Sequence, residues 1–376
     1  MDAGSIPAAS IVVVNPVGIG CWYVSALSTR MRWMILDRMR LPIVLAPLAG
    51  GPTTPRLVAE ASEADAFGFL AAGYLTPQRL AEELVELRSL TARPFGVNVF
   101  SPPPAPAEPE TYADYADEIR QWAAGRGLPV GEPRFHDDHF AGKLDLLTDD
   151  PVAVVSFTFG MPDADTVRRL HDAGSEVWVT VTSPGEASIA VDGGADVLVV
   201  QGIEAGGHRG SFEDDAAAPA HSLPTLLELL SDTSRPLVAA GGIVSGEGIA
   251  AALAAGARAA QLGTAFLLCP EAGTSEPHRQ ALRGGGAPTR LTRAFTGRTA
   301  RGIENQFMTE HHGPAVAAYP EIHELTQPFR QAARLSGDGS LINLWAGEAY
   351  PLIRELPAAE LVRMLAAELD AAQAGC

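Results

Sequence analysis

In Val197-Leu-Val-Val-Gln-Gly-Ile-Glu-Ala-Gly-Gly-His-Arg-Gly210, an aliphatic run of strand length leads directly into a loop with four glycines and one histidine. Glycine allows positive φ and lets backbone approach a ligand closely. His208 is the one group of this loop that ordinarily changes charge near neutral pH. The pattern is typical of a buried strand that opens onto a ligand, and its simpler alternative is a flexible turn.

The same unit, a short aliphatic run followed by a helix-like segment, recurs along much of the chain. Strands are predicted at 41–46, 67–70, 94–100, 152–156, 176–180, 196–200, 236–240 and 259–262. Eight such strands in about 220 residues predict an α/β fold, the (β/α)₈ or TIM barrel, with active-site groups at the strand C-termini. A doubly wound open sheet is the alternative, but Gly-x-Gly-x-x-Gly does not follow the first strand.

Three segments depart from this rhythm. Residues 1–40 are predicted to be an N-terminal extension, non-native or disordered, because they fit a secretory signal poorly and methionines at 31, 34 and 39 lie just before the first convincing strand. Residues 101–150 begin with a proline-rich turn and are predicted to be an insertion after strand three. The barrel then occupies 41–300, and residues 301–376 form a helical and loop extension that covers the active site. That extension ends in a helix over 357–372.

The composition narrows the classes of partner. The formal charge of −18 and the pI near 4.9 disfavour nucleic acid and anionic membranes as partners. A protein with this net charge can still contain a local basic pocket. Cys21, Cys269 and Cys376 have no metal-ligand spacing, so no metal is expected, and their scarcity suits a reducing cytoplasm. No apolar run reaches the ~20 residues that span a bilayer.

Two glycine-bearing loops follow the last two predicted strands. Gly241 and Gly242 follow strand seven, and Gly263 and Thr264 follow strand eight. In barrels this position commonly binds phosphate through backbone N–H groups. The alternative is that both are ordinary turns that need positive φ.

Other polar groups are candidates at the strand ends. His208 could take a proton from a substrate carbon or bind an anion, or it could simply be bonded to backbone. Asn98 and Gln201 end strands three and six, where an amide offers both a donor and an acceptor to a heterocycle or is satisfied structurally. Asn343-Leu-Trp-Ala-Gly347 could close over a pocket or pack the tail on the barrel.

Taken together, these motifs resemble one family of enzymes. They are Ala46-Pro-Leu48, Gly96-Val-Asn98, Val155-Ser-Phe-Thr-Phe-Gly160, Gln201 to Gly210, Ala240-Gly-Gly-Ile243 and Gln261-Leu-Gly-Thr264. The combination is similar to that of the FMN-dependent nitronate monooxygenases, formerly called 2-nitropropane dioxygenases, over residues 41–300. The resemblance implies an enzyme that oxidises alkyl nitronates, and by extension nitroalkanes, with O₂ to carbonyl compounds and nitrite.

The resemblance also implies roles for individual residues. Backbone at Ala46, Pro47 and Leu48 would run beside the flavin ring, and Asn98 and Gln201 would bond its polar edge or ribityl chain. Gly206 and Gly207 would allow close approach. The FMN phosphate would be held by Gly241, Gly242, Gly263 and Thr264. Gln261 would also bind the cofactor. His208 would be the catalytic residue, as base or anion partner.

One departure from the family pattern bears on the substrate. A branch of the family carries a histidine where this chain has Thr158, which puts nitronate specificity, but not FMN binding, in question. The alternatives are an FMN-dependent NAD(P)H reductase of enoyl thioesters or quinones, and a flavin-free phosphate-binding isomerase or lyase. Each takes a small-molecule substrate, and the sequence leaves the oligomeric state open.

Overall fold

A computed structural model describes residues 34–215 and 217–375. The predicted N-terminal extension lies outside the described residues as far as position 33. Its last residues form helix α1 (Ile35–Arg38). Ile35 and Leu36 are buried in the same apolar cluster as Trp178, and the Ile35 N–H donates to Glu176 Oε1 at 2.7 Å. The barrel interior is therefore closed on this side by α1.

The strands form a closed parallel barrel and a small antiparallel sheet. They are β1 Ile43–Leu45, β2 Phe67–Ala71, β3 Gly96–Phe100, β4 Val154–Thr158, β5 Glu176–Val181, β6 Val197–Gln201, β7 Gly207–His208, β8 Leu237–Ala240, β9 Ala259–Leu262, β10 Thr289–Thr292 and β11 Ala300–Ile303. The barrel order is β1-β2-β3-β4-β5-β6-β8-β9, and β9 pairs back onto β1. The predicted (β/α)₈ barrel is confirmed, and the open sheet is excluded.

Two barrel strands begin one or two residues later than predicted because a proline precedes them. Pro42 and Pro236 have no N–H for the ladder, so β1 begins at Ile43 and β8 at Leu237. Their carbonyls still pair, accepting the N–H groups of Ala260 and Leu198 at 2.9 and 3.1 Å. The register of the barrel is thus kept across both prolines.

Helices alternate with the strands. They are α2 Pro55–Glu63, α3 Pro77–Leu90, α4 Pro109–Ala124, α5 Phe140–Asp149, α6 Ala164–Ala173, α7 Pro184–Asp192, α8 Leu223–Leu229, α9 Gly246–Ala254, α10 Glu276–Gly284, α11 Gln306–His311, α12 Glu321–Ser336 and α13 Ala358–Ala374. The Thr76-Pro77 start signal is confirmed, since Thr76 Oγ1 accepts the Arg79 N–H at 3.2 Å. No helix of the described residues is long and apolar enough to cross a membrane.

The segment 101–150 is not wholly an insertion, because part of it belongs to the barrel. Its final part forms α5, which packs between α3 and α6 as the helix that follows β3. Helix α5 carries Lys143, the only lysine of the chain. That side chain is fully buried, and its Nζ is paired with Asp138 Oδ2 at 2.6 Å.

The C-terminal helix completes the barrel. Helix α13 packs against α9 and α2, in the position of the helix that would follow β9. Glu368 of α13 fixes this contact, because its Oε2 accepts the Gly246 N–H at 2.9 Å. The chain between β9 and α13 therefore leaves the barrel and returns to it.

That excursion, with α4, forms a second structure that we call the cap, residues 264–357 and 109–124. Its own core contains Phe295, Phe307 and Phe329 together with Tyr115 of α4. The predicted C-terminal extension thus divides between the cap and the barrel.

Candidate active site

A cavity of about 360 Å³ opens at the C-terminal ends of the barrel strands. Its size falls within the roughly 300–1,000 Å³ of typical small-molecule sites. All thirteen predicted site residues line it: Ala46, Pro47, Leu48, Asn98, Gln201, Gly206, Gly207, His208, Gly241, Gly242, Gln261, Gly263 and Thr264. Residues far apart in sequence therefore share one site because parallel strands end at one face of the barrel.

The two glycine loops form one side of the cavity. Gly241 and Gly242 have φ values of 113° and 72°, which side-chain-bearing residues rarely adopt. A Cβ at Gly263 would lie 3.1 Å from Leu48 Cδ2. Thr264 Oγ1 accepts the Gly347 N–H at 3.0 Å and still has its own proton to donate. Backbone is thus exposed to the cavity at the position where barrels bind phosphate.

The loop after β6 touches the Asn343–Gly347 segment directly. A Cβ at Gly206 would lie 2.4 Å from Gly347 N and 2.5 Å from Ala346 C, so only glycine fits there. Asn343, Trp345 and Gly347 line the cavity. The segment therefore lies against the loop after β6 and forms part of the cavity wall.

His208 is held by hydrogen bonds on both sides of the loop. Strand β7 pairs with β11, where His208 lies opposite Ala300. The Gln201 amide closes the loop, since its Nε2 donates to the His208 carbonyl at 3.1 Å and its Oε1 accepts the Gly210 N–H at 2.8 Å. The His208 ring places Nε2 2.9 Å from Thr296 Oγ1. The loop is therefore a braced structure and not a flexible turn.

Three aromatic rings surround the imidazole of His208. The ring centroids of Phe159, Tyr319 and Trp345 lie 5.8, 5.9 and 5.6 Å from that of His208. Phe159 has a φ of 79°, a strained value for a bulky residue. These rings form much of the apolar surroundings of the imidazole, which still lines the cavity.

The environment of His208 holds it neutral. Burial lowers the pKa of its imidazole to about 3, and the nearby Arg298 guanidinium adds to this effect. This environment favours the neutral form of a side chain that ordinarily changes charge near neutral pH. The ring presents a lone pair, not a positive charge, at physiological pH.

The cavity amides are not equally available. Asn98 Nδ2 donates to the Ser156 carbonyl at 3.2 Å and to Thr158 Oγ1 at 3.1 Å, which fixes the orientation of the amide. Asn98 Oδ1 thus remains as an acceptor. Gln201 is engaged within its own loop, whereas the Gln261 side chain has no hydrogen bond to any described residue. Asn98 and Gln261 are consequently the amides that can meet a ligand.

The charge of the cavity opposes that of the protein. No Asp or Glu is among the described residues that line it, whereas Arg330 and Arg334 of α12 do. Burial lowers the pKa of Arg330 only to about 10, so it stays charged at neutral pH. Its guanidinium bonds neutral groups, including Asn343 Oδ1 at 3.1 Å. This is the local basic pocket that the acidic composition left open.

Several wall residues were not singled out as site residues by sequence. Tyr74, Thr296, His323 and Arg330 line the cavity from turns and helices outside the barrel strands. Helix α12 is amphipathic, but its spacing does not reveal that one face meets the barrel mouth. None of these four residues lay in a motif that the sequence had marked.

A (β/α)₈ barrel with glycine loops, a braced histidine and arginines around one cavity at the strand C-termini is the arrangement of an enzyme that acts on small molecules. The family model for nitronate monooxygenase matches residues 34–368. The nitronate monooxygenase of Pseudomonas aeruginosa strain PAO1 is 40% identical over 347 residues, covering 90% of this chain and 99% of that protein. The chain therefore belongs to the nitronate monooxygenase family of flavoproteins and is an oxidoreductase.

Solved structures agree in fold. The nitroalkane oxidase of Streptomyces ansochromogenes is 48% identical with a TM-score of 0.87, covering 90% of this chain and 99% of that one. FabK of Thermotoga maritima is 25% identical with a TM-score of 0.69, covering 90% of this chain and 96% of that one. The first similarity extends through barrel and cap alike.

Proposed function

We propose that this protein binds FMN and oxidises alkyl nitronates, and neutral nitroalkanes more slowly, with O₂ to carbonyl compounds and nitrite. The observation that carries the proposal is the cavity itself, whose wall holds His208 together with Arg330 and Arg334 and, among the described residues, no carboxylate. The charged arginines of such a wall attract an anionic substrate.

The described residues fit FMN. Gly241, Gly242 and Gly263 expose backbone, and Thr264 supplies a hydroxyl, so these four residues would hold the phosphate. Asn98 Oδ1 would accept a hydrogen bond from the ring, and Gln261 would offer its amide to the polar edge. When bound there, the flavin supplies the two-electron redox chemistry that no side chain of the cavity can provide.

Other predicted residues shape the space around the ring. Ala46, Pro47 and Leu48 offer a backbone wall after β1, and Gly206 and Gly207 keep the opposite loop thin. Gln201 acts in this proposal by bracing the loop of His208, which modifies the role that the resemblance implied for it. The cap then covers the site and excludes water from it.

His208 decides which form of the substrate reacts faster. A neutral imidazole can accept the proton on the α-carbon of a nitroalkane, but a conjugate acid with a pKa of about 3 makes that transfer uphill. A nitronate has already lost this proton and needs no base. We therefore expect the nitronate to be the better substrate, with the nitroalkane reacting through His208.

The setting of the reaction follows from the composition. We assign the enzyme to the cytoplasm because three scattered cysteines suit a reducing compartment. O₂ and the small-molecule substrate are its only required partners in this proposal.

Anaerobic spectroscopy of the purified, FMN-loaded protein tests the proposal. A nitronate should bleach the flavin absorbance rapidly, the parent nitroalkane should do so slowly, and NADH or NADPH should leave it unchanged. His208→Gln should abolish bleaching by the nitroalkane. Rapid bleaching by NADPH with none by nitronate would instead identify an NAD(P)H reductase. A colourless protein whose melting temperature ignores FMN would identify a flavin-free barrel.

A further inference from the structure

The hydroxyl of Thr296 is the hydrogen-bond partner of the His208 ring. Thr296 is only 1% exposed and lies between β10 and β11, outside the barrel. Its Oγ1 is 2.9 Å from His208 Nε2 and 3.2 Å from the Arg298 carbonyl oxygen. One hydroxyl proton therefore has two acceptors within reach, and its choice fixes the tautomer of the histidine.

The Arg298 carbonyl decides where the hydroxyl proton goes. Among the described residues, this carbonyl has no donor other than the Thr296 hydroxyl. A buried carbonyl without a donor is costly, so the hydroxyl donates to it. Oγ1 then has only lone pairs to offer His208, and Nε2 must carry the proton. Nδ1 is left with its lone pair and has no bond to a described residue.

The turn that carries Thr296 is fixed from several directions. Asp214 Oδ2 accepts the Thr299 N–H at 3.0 Å and the Arg293 Nε–H at 2.9 Å. The Arg298 guanidinium lies 3.9 Å from the centroid of the Phe159 ring and donates to the Ser211 carbonyl. These contacts hold in place the turn that carries the Thr296 hydroxyl and its acceptor.

We propose that Thr296 is a positioning residue that holds the proton of His208 on Nε2, so that Nδ1 is the atom that takes the substrate proton. This inference rests on the proposed function only for its second half. Neutral imidazole exchanges its proton between the two nitrogens freely in water, and the wrong tautomer would present an N–H where a base is required. Thr296 thus keeps every enzyme molecule in the tautomer that can accept the substrate proton.

The tautomer can be observed without turnover. Long-range ¹H–¹⁵N spectra of histidine-labelled holoenzyme near neutral pH distinguish a protonated nitrogen from one with a lone pair, and His208→Gln assigns the signal. We expect a protonated Nε2 in the wild type and mixed tautomers in Thr296→Val. A wild-type His208 protonated at Nδ1 would overturn the proposal.

Kinetics supply the functional readout. Thr296→Val should lower kcat/KM for a neutral nitroalkane about 10–100-fold, as loss of a histidine's supporting partner does elsewhere. The preformed nitronate should change by less than about threefold, because its oxidation skips the proton transfer. Thr296→Ser should restore nitroalkane turnover.

A matched control separates positioning from general damage. Thr292 lies in the same region, is buried, and accepts the Ala294 N–H at 3.0 Å without touching His208. Thr292→Val should leave the ratio of nitroalkane to nitronate rates unchanged. Equal losses with both substrates in Thr296→Val would refute the positioning role. If His208→Gln itself retains nitroalkane activity, the proposed function fails while the tautomer assignment stands.

Discussion

Gly206→Ala is the substitution whose effect the structure predicts most directly. The added Cβ would lie 2.4 Å from Gly347 N and 2.5 Å from Ala346 C, and both of these atoms are backbone. Restoring ordinary contact requires the loop after β6 and the Asn343–Gly347 segment to separate by about 1 Å, and such overpacking typically costs about 1–3 kcal/mol. FMN must draw the separated loop and segment together again, so this cost opposes binding; since 1.4 kcal/mol is a factor of ten, FMN affinity should fall by up to about 150-fold.

Titration of apoprotein into FMN, followed by quenching of flavin fluorescence, measures this loss. Gly313→Ala is the matched control, because its Cβ would meet no atom within 4 Å and its φ is not positive. The control should bind FMN like the wild type. A melting temperature measured without FMN separates a stability effect from a binding effect.

Two results would contradict the reasoning. Unchanged FMN affinity together with an unchanged melting temperature would mean that the loop and the segment are not in contact. A lowered melting temperature with unchanged affinity would mean that they touch but do not bound the cofactor site.

Further predictions concern charge. Lys143→Met should lower the free energy of unfolding, measured in urea, by about 3–5 kcal/mol, because Asp138 would stay buried without its partner. Adding Asp138→Asn to Lys143→Met should recover part of this loss. No recovery in the double variant would argue against a charge effect. Burial lowers the pKa of His208 to about 3, so the unfolded chain binds a proton below about pH 6.5 that the folded chain does not, and stability falls as the pH drops through this range. His208→Gln should reduce that slope by up to about 1.4 kcal/mol per pH unit, and an unchanged slope in urea unfolding at pH 6 and pH 5 would show that His208 is already protonated when folded. Thr264→Val should weaken FMN binding and free the Gly347 N–H, which faster amide hydrogen exchange at Gly347 would report.

The sequence was sufficient for the barrel and for the strand-end residues. Period, length and proline positions are local properties, and each predicted strand lies within two residues of its place. Gly241 and Gly242 could be marked because positive φ restricts the residue type, and that requirement is visible in the residues themselves. His208 could be predicted as a site residue because the glycines beside it offer no side chains for it to pack against.

The tertiary structure alone decided the chemistry of those residues. The neutral state of His208 comes from burial and from Arg298, ninety residues away, and its tautomer comes from Thr296. The basic wall comes from α12, which no local pattern directs toward the barrel mouth. Helix α13 completes the barrel about a hundred residues after β9. Burial, pKa and tautomer depend on which distant groups meet, and short-range sequence patterns do not contain that information.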